Sequence, residues 1–252
     1  MEMSMSGRQG TKPVYASEIT SPEFGEMVGR GALVILPVGS LEEHGSHLPL
    51  GTDSFQAEEV VRRVAERFDA VVLPPVPYGE CRSTRNFPGT ISISFETVKS
   101  LALDILLELS RNGVRDVMIL TGHAGSGHMA ALKLAAHRAV ESDPGLRVMV
   151  LSDYDIAYDL KGKEFSADDG HAGQIETSRI LNIRPDLVGP DRPSGSGRPP
   201  RFMVLPNPEE YIPTGVMGDS KDASADRGGR IDDYVIDTLC RLVEENFGPR
   251  KA

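Results

Sequence analysis

The sequence predicts an α/β fold with three layers, α/β/α, in which a mainly parallel sheet lies between two layers of helices. Two observations support this prediction. Short runs of apolar, mostly branched residues alternate along the chain with longer segments whose apolar residues recur every three or four positions, and such alternation is typical of βαβ units. The apolar runs are also continuous, as in strands that are buried on both faces of a parallel sheet.

Four apolar runs are the predicted strands. The first, "ALVILPV", is rich in branched residues and ends at Gly39, while the second, "AVVLPPVPYG", is stopped by prolines. Glycine and proline are expected where a strand gives way to a loop. In chain order, the predicted strands cover residues 32–38, 70–79, 114–122 and 146–153.

Amphipathic segments separate these strands. Between residues 57 and 68, the apolar side chains are spaced as on one face of a helix. The next segment has an apolar face from Val98 to Leu109, with Ser94 as its predicted N-cap. Further helices are predicted at residues 127–140, from residue 174 onward, and at residues 231–247.

A stretch rich in proline, glycine and serine, at residues 189–202, predicts a surface loop. The residues after this loop are too few to build a core of their own, so the loop does not separate two domains. We therefore expect a single domain that spans residues 1–252.

Composition narrows the possible classes of function. The 252-residue chain has a net charge of −10, which argues against binding to nucleic acid or to an anionic membrane. No segment approaches the roughly 18 apolar residues of a transmembrane helix, and the first residues lack the apolar run of a signal peptide. Cys81 and Cys240 lie far apart and form no CxxC pair, as is typical of a reducing compartment. We expect a cytoplasmic protein.

Three polar clusters are predicted at the carboxyl ends of strands, which is where open parallel sheets bind ligands. They are "LPVGSLEEHGSHLPLGTDS", "TGHAGSGH" and "DDGHAGQIETS", at residues 36–54, 121–128 and 168–178. Together they contain five of the six histidines, and the sixth, His137, is predicted to have a structural role in the middle of a helix.

Glu42, His44 and Asp53 in the first cluster indicate a divalent metal. Buried carboxylates repel one another, and a bound cation removes that repulsion. Carboxylate oxygens together with neutral imidazoles suit Zn²⁺, Mn²⁺ or Fe²⁺, and Asp53 could bridge two ions with one oxygen for each. Two alternatives remain open: Asp53 caps the following helix while Glu42 and His44 are solvated, or the cluster binds a simple anion.

The second cluster is compatible with two kinds of site. Gly122, Gly125 and Gly127 lie between a predicted strand and a predicted helix, where backbone N–H groups can hold phosphate. A nucleotide- or phosphate-binding module is therefore an alternative function, although the spacing matches neither GxGxxG nor GxxxxGK[ST]. The glycines could equally let the backbone approach a metal, with His123 as a ligand and His128 in a supporting role.

The third cluster contributes His171 and Glu176, which could act as a base, an acid or metal ligands. The alternative is a loop histidine together with a glutamate that is favoured by the dipole at the start of a helix.

Taken together, the clusters resemble the motifs of the creatininase family of metal-dependent amidohydrolases. "PVGSLEEHGSHLPLGTD" is similar to its first signature, whose glutamate, histidine and aspartate bind metal and correspond to Glu42, His44 and Asp53. "TGHAGSGH" resembles the segment with a metal-binding histidine, here His123. "HAGQIETS" resembles the motif that carries a catalytic histidine and an acidic metal ligand, here residues 171 and 176. "FPGTISIS" and "TGVMGDSKDASADRG" resemble further segments, and all occur in the family's order.

The resemblance implies a creatininase-like fold and hydrolysis of a C–N amide bond, cyclic or linear, at a dinuclear centre of Zn, Mn or Fe. The attacking water would be activated by the two ions, and His171 would protonate the leaving nitrogen as general acid. By the same resemblance, one ion would be held by Glu42, Asp53 and His123, and the other by His44, Asp53 and Glu176. A metal-binding protein without catalysis is a further alternative.

The chain departs from the creatinine-cleaving members at two points. Where those enzymes have Tyr, Glu and Asn after the histidine of the second motif, this chain has Ala124, Gly125 and Ser126, and it has no Trp to close over a small flat substrate. Other members deformylate a pyrimidine nucleotide or trim a peptide precursor. The resemblance therefore leaves the substrate open among these classes.

The expected partner is a small-molecule amide, with no nucleic acid and no membrane, and the resemblance implies a homo-oligomer, a hexamer. The segment "GECRSTRNFPG" follows the second strand and is predicted to face the same cleft. There Ser83 could hydrogen-bond the substrate, and Arg82 and Arg85 could hold a carboxylate or phosphate. The alternative is that both arginines are solvated surface residues.

Overall fold

The computed structural model describes residues 12–248. Its centre is a five-stranded sheet in which every neighbouring pair is parallel, in the order β1-β3-β2-β4-β5. This arrangement confirms the predicted α/β class. The strands are β1 (Val14–Tyr15), β2 (Leu33–Val38), β3 (Ala70–Val72), β4 (Asp116–Thr121) and β5 (Arg147–Ser152).

Seven α-helices accompany the sheet within residues 12–248, and short 3₁₀ segments occur between them. The first, third and fourth helices pack on one face of the sheet. The second, sixth and seventh helices pack on the other face, so the fold has three layers. The helices are α1 (Ser21–Gly29), α2 (Thr52–Ala65), α3 (Phe95–Arg111), α4 (Ser126–Ser142), α5 (Tyr154–Ala157), α6 (Gln174–Ile183) and α7 (Ala225–Phe247).

The strand β2 shows why the continuous apolar runs form strands. All six of its residues are buried. Leu33 and Ile35 belong to the core that α2 and α7 cover, whereas Val34 and Leu36 belong to the core on the opposite face, with α3 and α4. Because side chains alternate across a strand, a central strand that is covered on both faces must be apolar at every position.

Several predicted boundaries differ from the structure. The strand β3 ends at Val72 because Pro74 and Pro75 follow it, although the extended chain returns to pair Val76 with Val38. The helix α7 begins at Ala225, six residues before the predicted start, with Ser224 as its N-cap. The elements β1 and α1 were not predicted.

The predicted surface loop at residues 189–202 contains one short strand. This strand, β6 (Ser194–Gly195), pairs antiparallel with β7 (Gly218–Asp219) to form a separate two-stranded sheet. Within residues 12–248, no helix has both the length and the apolar character needed to cross a bilayer.

A buried ion network connects Asp153, which directly follows β5, with α6 and α7. The Arg179 guanidinium on α6 is fully buried; its Nε lies 2.7 Å from Asp232 Oδ1, and its Nη2 lies 2.8 Å from Asp153 Oδ2. Burial raises the pKa of Asp153 to about 6, although Arg179 acts in the opposite direction. The network therefore depends on the single cation between two buried carboxyl groups.

We predict that Arg179→Met destabilises the protein by about 3–5 kcal/mol at neutral pH, because it leaves two buried carboxylates without a counter-ion. In this variant the carboxyl groups of Asp153 and Asp232 have raised pKa values, so the folded state binds more protons than the unfolded state. Stability then falls as pH rises, and the loss will be larger at pH 8 than at pH 5.5. Urea denaturation at both pH values measures it.

Arg184→Met is the matched control for this experiment. Arg184 follows the same helix, and its ion pair with Asp186 is largely exposed, so its loss is expected to cost less than about 1 kcal/mol. A similar small loss in Arg179→Met, or the same loss at both pH values, would contradict the proposed role of the buried network.

Candidate metal centre

The five predicted ligands are all buried at the carboxyl edge of the sheet. Glu42 and His44 lie in the segment after β2, and His123 follows β4. Asp53 and Glu176 lie in the first turns of α2 and α6. Five residues that are far apart in the sequence therefore meet at one place, as the strand-end clusters predicted.

Asp53 lies at the centre of this group. Its Oδ1 is 3.1 Å from His44 Nε2, and its Oδ2 is 3.1 Å from His123 Nδ1. Glu42 Oε2 is 2.8 Å from the same nitrogen of His123, and Glu176 Oε2 is 3.7 Å from His44 Nε2. The side chains thus form two adjacent sets that share one carboxylate, with a different Asp53 oxygen in each set.

The close approach of α2 to the strand ends places Asp53 there. The backbone oxygen of Asp53 lies so near Gly122 that a Cβ at position 122 would be 2.0 Å from it. A Cβ at Gly39 would likewise be 2.7 Å from the backbone nitrogen of Ser54. The helix N-cap is Gly51 rather than Asp53, and Glu42 and His44 are buried rather than solvated. The capping alternative is therefore wrong.

Backbone oxygens orient the two histidines. His44 Nδ1 donates to the backbone oxygen of Glu42 at 3.1 Å, and His123 Nε2 donates to the backbone oxygen of Glu80 at 2.9 Å. In each ring the other nitrogen then faces the carboxylates. Such a bond to the remote nitrogen is the usual support of a metal-binding imidazole.

Hydrogen-bond donors also hold the carboxylates in place. The Ser40 hydroxyl donates to Asp53 Oδ2 at 2.5 Å, Thr84 donates to Glu42 Oε1, and the backbone N–H of Ala172 donates to Glu176 Oε2. Sequence reasoning missed Ser40 and Thr84. Ser40 lies within the first cluster, but a threonine 42 residues from its partner carries no local signal.

The electrostatics of the site fit divalent cations. Burial opposes ionisation of Glu42, but the neighbouring His123 outweighs it and lowers the pKa of Glu42 to about 2. Burial also opposes the charged form of His44, yet Asp53 and Glu176 raise its pKa to about 10. The carboxylates thus require positive charge between them, and cations can supply it in place of imidazole protons. The donor set of oxygen and imidazole nitrogen suits Zn²⁺, Mn²⁺ or Fe²⁺.

His171 lies beside this centre. Its ring centroid is 4.4 Å from that of His44, and its Nε2 donates to the backbone oxygen of Glu43 at 2.8 Å, with Glu43 Oε1 at 3.3 Å. Burial and His44 lower the pKa of His171. The bond to Glu43 and the charges of Glu42 and Glu176 have a larger effect in the opposite direction, so the net shift of the pKa is upward. Glu43 was not among the predicted site residues.

A cavity of about 430 Å³ opens onto the centre. Arg82 and Ser83 line it, whereas Arg85 is exposed and lies outside its wall. The structure therefore brings two of the three predicted substrate contacts to the cavity. It adds Lys161 and Arg198, which lie outside the motifs and therefore carried no signal in the sequence.

The glycine turn at residues 122–127 packs against Glu80 rather than leaving an open anion site. A Cβ at Gly127 would lie 2.3 Å from Glu80 Oε2, so a carboxylate lies at the start of α4. This negative charge disfavours a phosphate there. A Cβ at Gly125 would lie 2.5 Å from His123 Nε2, so a side chain at position 125 would fit only if His123 shifted.

His128 lies beside His123 at the start of α4. It is fully buried, and its Nε2 is 3.2 Å from Thr121 Oγ1. Its ring contacts that of His123 edge to face at 5.0 Å. Burial lowers the pKa of His128 to about 3, so it is neutral at physiological pH. His137 is exposed on α4 and remote from the site.

Comparison with known proteins connects this site to a family. The family model "Creatininase: Creatinine amidohydrolase" matches residues 17–243. The creatinine amidohydrolase of Pseudomonas putida is 31% identical over 95% of this chain and 99% of its own length. The mycofactocin precursor peptide peptidase of Mycolicibacterium smegmatis is 33% identical over 84% of this chain and 83% of its own length.

Solved structures agree with the sequence match. A mutant creatininase of the Zn-Zn type superposes with a TM-score of 0.86, at 28% identity, and covers 95% of this chain and 100% of its own. Descent from a common ancestor with these proteins explains the parallel sheet, the order of the motifs and the position of the buried carboxylates and histidines. The chain belongs to the creatininase family of amidohydrolases.

Proposed function

We propose that the chain, as one creatininase-like domain, hydrolyses a C–N amide bond with two divalent metal ions. The observation that carries this proposal is the Asp53 carboxylate, whose two oxygens face two different histidines at 3.1 Å. A carboxylate in this position can be shared by two ions. One ion is assigned to Glu42, Asp53 and His123, and the other to His44, Asp53 and Glu176.

When bound, the two ions supply an activated water and polarise the carbonyl of the substrate. The protein residues hold the geometry: Ser40 and Thr84 fix the carboxylates, and the backbone oxygens of Glu42 and Glu80 fix the imidazoles. We assign Zn, Mn or Fe to the site on the chemistry of these donors.

His171 is the proposed general acid for the leaving nitrogen. It lines the cavity beside His44, and its bond to the backbone of Glu43 fixes the ring. An amine leaves readily only when it is protonated, so a histidine beside the cleaved bond has a direct function. The five proposed ligands already give each ion three protein ligands, which leaves His171 available for this role.

The proposed substrate is a small amide with an anionic group. Lys161 donates to the backbone oxygen of Asp169, and Arg198 donates to that of Asp168. Within residues 12–248, no carboxylate lies within 4 Å of Lys161 Nζ, and the nearest to Arg198 is Asp168 Oδ1 at 3.9 Å. Arg82 and Ser83 line the same cavity. Lys161, which has no ion pair in the described part of the chain, and Arg198, whose ion pair is long, favour a carboxylate or phosphate of the substrate.

We also propose that the protein is a homo-oligomer. Phe202, Met203 and Val204 are consecutive and have relative exposures of 95%, 62% and 85%. They follow Arg198 of the cavity wall within the same loop. Exposed apolar runs of this kind are typical of protein interfaces, and a second copy of the chain is the proposed occupant.

The shared ligand gives the first test of this function. We predict that Asp53→Ala removes both metal ions, whereas Glu42→Ala chiefly weakens one site. Elemental analysis after dialysis against zinc or manganese measures the stoichiometry. Asp104→Ala, at an exposed position of α3, is the control and is expected to retain both ions. Full occupancy in Asp53→Ala would exclude the bridging role.

The second test concerns the general acid. His171→Ala is expected to keep its metal content and to lose about 10²- to 10⁴-fold in kcat, the usual contribution of a positioned acid. His137→Ala, on the exposed face of α4, serves as the control with unchanged kcat. Metal content and kcat are measured on the same preparation. Near-normal kcat would refute the acid role, and lost metal would make His171 a ligand.

The third test concerns the anionic group of the substrate. With N-formylglycine and its neutral amide as paired substrates, Lys161→Met and Arg198→Met are expected to lower kcat/KM for the acid by about 10- to 100-fold. The value for the neutral amide changes little. Lys163→Met, at an exposed position nearby, leaves both values unchanged. Equal effects on both substrates would rule out charge recognition.

A further inference from the structure

Cys81 lies at the metal centre, although no sequence motif pointed to it. Its side chain is buried, with 1% exposure, and it lines the cavity. The potential ligand atoms of Glu42, Cys81 and His123 all lie within 4.8 Å of one another. The thiol therefore shares a site with two of the proposed ligands instead of being a separate buried side chain.

The backbone around Cys81 is held on both sides. The backbone N–H of Cys81 donates to Ser92 Oγ at 2.8 Å, and this bond fixes the position of the Cys81 backbone. Two residues earlier, the backbone oxygen of Gly79 accepts a bond from Ile93 at 2.9 Å. The segment that leads to Cys81 crosses the end of β2, where the backbone N–H of Gly39 donates to the backbone oxygen of Val76 at 2.9 Å. The thiol is thus held against the centre by fixed backbone.

The set formed by Glu42, Asp53 and His123 has a neighbouring position without a side chain. Position 125 is glycine, and a Cβ there would lie 2.5 Å from His123 Nε2. Residue 125 therefore contributes no side-chain ligand to this set of residues. Zinc at catalytic centres keeps a position for water and can expand from four to five ligands, so three protein ligands leave room for both the activated water and the thiol.

We propose that Cys81 Sγ is a protein ligand of the metal ion held by Glu42, Asp53 and His123. This inference rests on the metal centre of the proposed function. The thiol loses its proton to solvent as the metal–sulfur bond forms, so that ion binding at this site releases one proton from Cys81. The other set, His44, Asp53 and Glu176, contains oxygen and nitrogen donors alone.

A thiolate makes the two positions chemically different. Soft sulfur favours zinc, cobalt or iron over manganese, whereas oxygen-rich sites accept manganese readily. The site with Cys81 is therefore expected to select the softer ions, and the site with Glu176 is expected to discriminate less. The competing explanation is that Cys81 is a small buried side chain that packs beside the centre without binding the ion.

Cobalt substitution separates these explanations without an activity assay. The full-length protein loaded with two equivalents of Co²⁺ is expected to show thiolate-to-cobalt charge-transfer absorption in the near ultraviolet. Cys81→Ser is expected to lose this band, and Cys240→Ser, which changes the other buried cysteine, to keep it. Two bound cobalt ions without the band, or a band that survives in Cys81→Ser, would overturn the inference while leaving the metal centre intact.

X-ray absorption of the wild-type zinc protein gives a second measurement that needs no variant. A ligating Cys81 adds a zinc–sulfur shell at about 2.3 Å, with one sulfur for every two zinc ions. Oxygen and nitrogen neighbours alone would overturn the inference, even if Cys81→Ser failed to fold. A protein that binds no cobalt or zinc would overturn the proposed function together with this inference.

Discussion

The shared carboxylate of Asp53 is the contact on which the rest of the site depends. Its two oxygens can face His44 and His123 only if the first turn of α2 lies directly against the ends of β2 and β4. That approach is possible because Gly39 and Gly122 have no side chains. The sheet therefore sets the separation of the two ligand sets, and rigid strands hold this separation more accurately than loops could.

Burial of charge is the second constraint, and it acts at two positions of α6 that are one turn apart. Glu176 belongs to the candidate metal centre, and Arg179, one turn later, lies between Asp153 and Asp232. Each group is unfavourable in the interior unless an opposite charge is near. The helix is thus positioned by ionic contacts at both ends of one turn, so a cation bound at the candidate metal centre would also stabilise the fold.

The parts of the fold that were predicted well are those in which apolar spacing alone determines the structure. β2 and α3, with its Ser94 cap, follow directly from such patterns. The start of α2 was missed because residues 52–56 are largely buried against the site and are mostly polar, so they carry no apolar period. The strand β1 has only two residues, too few to show any period.

The sequence by itself determined which donor atoms are available to the candidate site, because Glu42, His44, Asp53, His123 and Glu176 lie in short motifs at predicted strand ends and helix starts. The tertiary structure alone decided which atoms meet. It placed Thr84 on Glu42, brought Lys161 and Arg198 to the cavity, and put Cys81 beside His123. The physical reason is that a motif specifies donor atoms over a few residues, whereas distances between residues far apart in the chain depend on how the helices pack on the sheet.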